Sequence, residues 1–179
     1  FAKSGGLADV AGALPAALTS LGIEVTSMLP GYLAVMAALE KPNPLHSYEE
    51  LFGGPARLVR GRAHGLDIVA VDAPHLYARP GNPYLGPDGK DWPDNAQRFA
   101  ALARAAADLA AGRASSYRAD ILHCHDWQTG LGPVYAKFLG GPKTVMTVHN
   151  IAFQGQFPAS VFGTLGLPAQ AFAIEGVEY

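Results

Sequence analysis

The sequence predicts an α/β fold, with a doubly wound parallel sheet that carries a β-hairpin insertion. In the last third of the chain, a strand pattern at residues 120–125, a helical pattern at 131–139 and a second strand pattern at 144–149 follow one another. Strand, helix and strand in that order pair in parallel through a right-handed crossover. Of the 179 residues, 49% are hydrophobic and 16% are charged, which provides enough apolar surface for one sizeable core.

The first third of the chain adds a helix, a strand and a short second helix to this pattern. Apolar side chains recur at helical spacing over residues 7–20, and Gly22 ends the run. The alternating, β-branched stretch at 23–29 predicts a strand, and residues 32–40 predict a short helix. Because residues 41–55 include Pro and Gly at several positions, we expect no regular structure there.

The middle of the chain predicts a hairpin, a long loop and the clearest helix. Two alternating runs at residues 56–63 and 66–71 flank His64-Gly65, a two-residue connection that suits a β-hairpin. Residues 73–93 are rich in Gly, Pro, Asn and Asp, and a loop of that length inside a compact domain is usually functional or mobile. Residues 94–111 carry one apolar stripe at helical spacing. The C-terminal residues 174–179 have a strand-like pattern.

Charge and cysteine content exclude several classes of function. The formal net charge is −2, and the 13 basic and 15 acidic side chains are scattered, so we expect no nucleic-acid partner. The longest apolar runs, such as residues 33–39, fall far short of the roughly 20 residues that cross a bilayer, so we expect no membrane partner. The single cysteine, Cys124, cannot form an internal disulfide, which favours a reducing compartment and predicts a cytoplasmic protein.

Three loops carry the candidate chemistry, because ligands of an open parallel sheet bind beyond the carboxyl ends of its strands. Residues 3–6 precede the first helix, and residues 125–130 and 149–155 each follow a strand, so we expect all three at one edge of the sheet. In the first loop, backbone N–H groups, the helix dipole and the charge of Lys3 can hold a phosphate or diphosphate. A tight turn with an exposed lysine is the alternative.

The second loop offers several interpretations. His123 and His125 share one face of the predicted strand, a spacing common in zinc sites, although no further ligand follows at a metal-site spacing. Buried, hydrogen-bonded histidines are the alternative. Asp126 and Trp127 suit a sugar, since a carboxylate can bind hydroxyl groups beside an aromatic face. A helix cap and a core aromatic would use the same two residue types.

The third loop is also polar. His149 and Asn150 end their strand with side chains that donate and accept hydrogen bonds, and Gln154 and Gln156 continue the polar lining. Taken alone, a histidine in this position is more often structural than catalytic.

Five longer motifs follow one another along the chain: KSGGLADV from Lys3, DAPHLY from Asp72, DNAQRF from Asp94, HCHDWQT from His123 and TVHNIAFQGQF from Thr147. In this order and spacing they resemble the bacterial glycogen synthases, the ADP-glucose-using relatives of plant starch synthases. The resemblance extends over essentially the whole chain. It implies that residues 1–179 are a partial N-terminal, acceptor-side, Rossmann-like domain of a GT-B glycosyltransferase.

The resemblance also implies roles for individual residues. The donor's diphosphate and the adjoining glucose would be held by Lys3, Gly5 and Gly6, with Asp9 nearby. The transferred sugar would be bordered by four further residues, Asp126, Trp127, His149 and Asn150. Of these, Lys3, Asp126 and His149 are the expected catalytic residues, and Asn150 is expected to shape its loop.

The family transfers glucose from ADP-glucose to the non-reducing end of an α-1,4-glucan with retention of configuration, and it uses no metal or other cofactor. The partners expected by resemblance are therefore ADP-glucose, the glucan and a C-terminal nucleotide-binding domain outside this chain. A strand before Lys3 is expected as well, and these residues alone are expected to be inactive.

Three other hypotheses remain at this point. A GT-B transferase could use another nucleotide sugar, because the residues that select the base are expected in the C-terminal domain. A non-catalytic glucan-binding half-module would bind glucan without responding to a donor. A zinc-dependent hydrolase would use His123 and His125 as metal ligands.

Overall fold

The computed structural model describes residues 5–177 as two compact units, one that ends at Trp92 and one that begins at Pro93. The helices and strands of the first unit are, in chain order, α1 (Gly5–Thr19), β1 (Ser27–Pro30), α2 (Leu33–Ala38), β2 (Glu40–Tyr48), β3 (Ala56–Ala63), β4 (Leu66–Asp72) and α3 (Pro74–Tyr77). The strands form one sheet in the order β1-β4-β3-β2. β1 is parallel to β4, whereas β2, β3 and β4 pair antiparallel.

The predicted hairpin is confirmed. β3 and β4 pair from Arg57↔Asp72 to Ala63↔Leu66. The two connecting residues, His64 and Gly65, have φ values of 51° and 80°, and positive φ at both positions is what a type I′ turn requires.

The prediction of irregular structure over residues 41–55 is wrong in its first half, because β2 covers Glu40–Tyr48. This strand lies at the edge of the sheet, where Pro42 and Pro44 can be accommodated although they have no N–H to donate. Its pairing with β3 shifts register between Glu40 and Asn43 and again between Pro44 and His46. Long-range pairing with β3 therefore outweighs the local preference of the prolines.

The remaining elements of the first unit lie close to their predicted places. α1 begins two residues before the predicted helix, and β1 occupies only the end of the predicted strand at 23–29. The core between α2 and the sheet consists of small and medium apolar side chains, Val35, Leu39, Val59, Ala63, Ile68 and Ala70. Regular hydrogen bonding in the long loop is limited to the short helix α3 and an isolated bridge between Leu85 and Asp91.

The second unit contains the predicted strand, helix and strand. Its elements are α4 (Asn95–Ala110), β5 (Ile121–His125), α5 (Leu131–Leu139) and β6 (Lys143–Thr147), with 3₁₀ turns at Trp127–Thr129, Ala159–Thr164 and Ala169–Ala171. β5 and β6 are parallel neighbours, as predicted, and they form a sheet of their own. α4 is almost entirely buried, since its many alanines allow α5 and β5 to pack closely against it.

The strand-like pattern at the C-terminus does not form a strand over residues 174–177, and residues 178 and 179 lie outside the described part. The chain turns back on itself here, with the N–H of Gly176 donating to the carbonyl of Ala173 and that of Val177 to Ala171. Within residues 5–177, no helix combines the length and apolarity needed to span a membrane.

Candidate functional site

Two of the three predicted loops meet in the second unit. β5 and β6 run in parallel and in register, with His125 opposite Thr147, so both strands end at the same edge. The loop after β5 begins with Asp126 and the loop after β6 leads to His149. Parallel pairing therefore brings together two of the predicted catalytic residues.

Asp126 links the two loops through its backbone and its side chain. Its N–H donates to the carbonyl of Thr147 at 2.8 Å, and its Oδ1 accepts a hydrogen bond from the backbone N–H of His149 at 2.6 Å. The residue is buried, with 8% of its surface exposed. Its backbone has φ 52° and ψ −176°, a region that only glycine adopts easily. The fold thus holds Asp126 in a strained conformation that aims its carboxylate at the loop of His149.

A row of three imidazoles lies beside Asp126. The ring of His125 stacks on that of His123 at a centroid distance of 4.2 Å and on that of His149 at 5.3 Å. Nδ1 of His125 lies 3.0 Å from Nε2 of His149, which is hydrogen-bond distance. Nε2 of His123 lies 2.7 Å from the Thr147 hydroxyl. Both histidines are hydrogen-bonded, as one of the sequence-based alternatives predicts, but His123 is exposed and His125 only half-buried, so the expected burial is not found.

The middle histidine is held in its neutral form. Burial lowers the pKa of His125 from its ordinary value of 6.5, and the nearby charges of His123 and His149 lower it further, against the opposing effect of Asp126. The Thr129 hydroxyl fixes the backbone of the same residue, since it accepts from the N–H of His125 at 2.6 Å and donates to its carbonyl at 2.8 Å.

The free energy of unfolding should fall as the pH drops below about 6.5, in part because of His125. Since its folded-state pKa lies below 6.5, the unfolded chain takes up this proton first as the pH falls. The stability contributed by the neutral ring is present above the unfolded-state pKa and is lost as the pH falls through the folded-state pKa. Urea unfolding at several pH values should show a shallower decline for His125→Asn than for the wild type. Equal declines would contradict this assignment.

Trp127 and Asn150 shape the two loops. The ring of Trp127 lies edge-on to Phe99 at a centroid distance of 4.7 Å and is tilted towards Phe157 at 5.9 Å. Gly155, at φ 64°, approaches this ring so closely that an added Cβ would lie 2.5 Å from it. Oδ1 of Asn150 accepts from the N–H of Ala152 at 2.9 Å. Trp127 therefore packs as an anchor for both loops, and Asn150 folds its own loop.

The predicted phosphate loop belongs to the first unit, and its described part is short. Lys3 lies outside the described residues, and Gly5 is the first residue of α1. Gly6 is exposed, and among residues 5–177 no atom beyond its chain neighbours and its own helix backbone lies within 4 Å of the position that a Cβ would take. Asp9 is exposed on the same helix.

The described part of the chain offers no set of ligands for the metal ion that the sequence suggests as one alternative. Among residues 5–177, no group of three His, Cys, Asp or Glu side chains is placed to hold a metal ion. Cys124 is buried, its Sγ lies close to Gly132 of α5, and burial raises the pKa of its thiol to about 11. Its thiol is therefore protonated at neutral pH and packs as a small apolar group.

Sequence reasoning did not anticipate the contact between His125 and His149, nor the role of Thr129. The sequence pattern presents His125 only as a metal ligand or a buried histidine. A usable signal was present, since parallel strands that end at residues 125 and 147 bring position 149 close to position 125.

The architecture has a counterpart among solved structures. The catalytic domain of Starch Synthase IV from Arabidopsis thaliana, described as bound to ADP and acarbose, matches with a TM-score of 0.75 and 29% sequence identity. The match covers 98% of this chain and 37% of that chain. The fold is accordingly part of a GT-B glycosyltransferase catalytic domain.

The sequence as a whole identifies the family to which the chain belongs. The model of the starch synthase catalytic domain matches residues 1–179, so the chain belongs to that family. Similar relatives are the glycogen synthases of Rhodopseudomonas palustris strain TIE-1, with 61% identity, and Methylocella silvestris, with 57%. Glycogen synthase 2 of Bradyrhizobium diazoefficiens is 50% identical. Each match covers 99% of this chain, which spans 37% of the length of these relatives. The resemblance expected from the motifs is confirmed.

Proposed function

We propose that this chain supplies part of the active site of a retaining glucosyltransferase. The protein would transfer glucose from ADP-glucose to the non-reducing end of an α-1,4-glucan in the cytoplasm. The observation that carries the proposal is the convergence of Asp126 and His149 at the carboxyl edge of two parallel strands, in a chain whose family is the starch synthase catalytic domain. The names of its relatives support the same activity.

At this edge, His149 and Asp126 would bind the glucose that is transferred. His149 is half-buried, and its ring offers Nδ1 to a hydroxyl group while Nε2 faces His125. Within residues 5–177, Oδ2 of Asp126 makes no hydrogen bond, and it is therefore the oxygen that can accept one from a sugar hydroxyl. Trp127 and Asn150 would contribute by holding the two loops in place.

The departing diphosphate would be stabilised at the beginning of α1. Helix α1 has no acidic residue in its first turn, so its N-terminal N–H groups and dipole favour an anion. Lys3 would add a full positive charge, Gly5 and Gly6 would allow close approach of the phosphates, and Asp9 would lie nearby. Stabilising charge that develops on the leaving group requires no metal and no pair of catalytic carboxylates of the glycosidase type.

A second, nucleotide-binding domain would complete the site, a proposal supported by the greater length of the relatives. Such a domain would select the base, so the preference for ADP over other nucleotides rests on family membership. The proposed partners of this half are the sugar and diphosphate of the donor and the glucan acceptor.

The test uses the full-length protein that contains this chain, with a glucan primer and ADP-glucose, UDP-glucose or GDP-glucose as donor. We expect release of ADP and α-1,4-linked product from ADP-glucose. Because His149 would donate to or accept from the transferred sugar, His149→Ala should lower kcat by about 10²-fold or more while the fold survives. Elemental analysis of the same protein should find no stoichiometric zinc.

Several outcomes would contradict the proposal. Activity with UDP-glucose in place of ADP-glucose would reassign the donor. Retention on glucan without nucleotide release from any donor would indicate a glucan-binding module. Stoichiometric zinc, together with activity that chelators abolish, would indicate a hydrolase. Unchanged turnover in His149→Ala would remove that residue from the site.

A further inference from the structure

We propose that His125 is a positioning residue, whose imidazole holds the ring of His149 in one orientation and one tautomer. The inference rests on the proposed function, in which His149 contacts the transferred sugar. His125 itself would not touch the substrate. It would determine what the ring of His149 presents to it.

The contact between the two rings couples their protons. Nδ1 of His125 and Nε2 of His149 are 3.0 Å apart, so one of them must donate and the other accept. Two N–H groups would clash at this distance, and two lone pairs would repel each other. Because a neutral imidazole carries one N–H, the nitrogen that His149 uses in this contact determines the state of its Nδ1. The bond therefore couples the two tautomers: Nδ1 of His149 donates to a sugar hydroxyl when Nδ1 of His125 donates in this contact, and accepts from the hydroxyl when Nδ1 of His125 accepts.

His125 is suited to this role because it is itself firmly held. Thr129 bonds both its backbone N–H and its carbonyl, and its ring lies between those of His123 and His149. The charged and titratable groups that face it are His123, His149 and Asp126, and their combined effect with burial favours the neutral ring. Only a neutral His125 can act as either donor or acceptor at Nδ1.

His149 has two separate anchors in this arrangement. Asp126 binds its backbone N–H, which places the loop, and His125 binds its ring, which sets the side-chain rotation. Loss of the first anchor should displace the whole residue. Loss of the second should leave the residue in place with a freely rotating ring, and this difference separates the positioning role from a general structural one.

The test compares three variants of the full-length protein. His125→Phe keeps a flat ring and removes Nδ1, whereas His125→Asn returns an amide near the position of Nδ1. His123→Phe is the matched control, since its ring belongs to the same stack but bonds Thr147 and not His149. We expect kcat of His125→Phe to fall by about tenfold, the effect of one neutral hydrogen bond, with little change in the KM for ADP-glucose. His125→Asn should recover part of the loss, and His123→Phe should stay close to the wild type.

A second readout does not depend on substrate. Nitrogen NMR of the full-length protein with ¹⁵N-labelled histidine distinguishes the two tautomers of each ring, and His149→Ala identifies the signals of His149. We expect a single tautomer of His149 in the wild type and in His123→Phe, and a mixture in His125→Phe. The Asn variant should give a spectrum between these two, so it still differs from the wild type if the Phe variant does not fold.

The two readouts separate failure of this inference from failure of the proposed function. Unchanged His149 signals in both His125 variants would overturn the inference, and so would altered signals with wild-type kcat. Equal losses of kcat in His125→Phe and His125→Asn, with one retained tautomer of His149, would indicate a structural role and overturn it as well. If the wild-type protein transfers no glucose, the proposed function fails, and the inference fails with it as a statement about catalysis.

Discussion

Replacing Asp126 by Ala in the full-length protein should lower kcat/KM for ADP-glucose by roughly 10³-fold. The substitution removes the oxygen proposed to accept from a sugar hydroxyl. It also removes the acceptor of the His149 N–H, which Oδ1 of Asp126 binds at 2.6 Å. Because the second loss displaces the loop that carries His149, the effect should exceed that of removing one sugar contact. Steady-state kinetics with varied donor and glucan concentrations provide the measurement.

A matched variant divides this effect into its parts. Asp126→Asn keeps an oxygen that can accept from the His149 N–H, so it should retain the loop and lose mainly the negative charge. It should therefore be more active than Asp126→Ala. An Ala variant with wild-type kcat/KM, or an Asn variant no better than Ala, would contradict the two roles assigned to the carboxylate.

Asp126→Gly tests the strain at this position separately. At φ 52° and ψ −176°, the backbone conformation costs about 1–3 kcal/mol for a residue with a Cβ and little for glycine. The greater chain entropy of unfolded glycine offsets about 0.5–1 kcal/mol of that gain. The free energy of unfolding of Asp126→Gly should thus be about 1 kcal/mol larger than that of Asp126→Ala, although both variants lack the carboxylate. Urea unfolding measures the difference, and a Gly variant no more stable than Ala would contradict a strained Asp126.

Local patterns predicted the second unit well. The helix predicted at residues 131–139 is α5, Leu131–Leu139, and the flanking strands pair in parallel as their order requires. Here periodicity, glycine stops and β-branched runs all favour the same elements. The strand β2 was not predictable in this way, because its formation depends on pairing with β3, and its prolines indicate the opposite.

The sequence predicts which residues of the candidate site lie close together, but it does not predict the geometry of their contacts. Parallel strands that end together imply that Asp126 and His149 are close, and the structure adds the hydrogen bond between them. The positive φ of Asp126 has no sequence signal, because aspartate is compatible with many turn conformations. The bond between His125 and His149 depends on ring rotations that follow from the register of β5 and β6, which only the folded chain specifies.

Replacing Lys3 by Ala in the full-length protein should reduce transition-state stabilisation by several kcal/mol, on the order of 10²–10³ in kcat. Lys3 lies two residues before the glycine pair Gly5-Gly6 and the N-terminus of α1, which begins at Gly5 and has no acidic residue in its first turn. An ammonium group beside a leaving diphosphate contributes more as negative charge develops on it. The loss should therefore appear mainly in kcat, with a smaller rise in the KM for ADP-glucose.

Lys3→Arg and Lys137→Ala complete the experiment. The arginine variant keeps the charge, but its planar guanidinium does not occupy the position of the compact ammonium group, so recovery should be poor. Lys137 is an exposed lysine in the last turn of α5, and its removal should leave kcat/KM close to the wild type. Wild-type kcat/KM in Lys3→Ala would exclude Lys3 from the diphosphate site. A large rise in KM with unchanged kcat would indicate that Lys3 binds ground state and transition state equally, because only an interaction that strengthens along the reaction raises kcat.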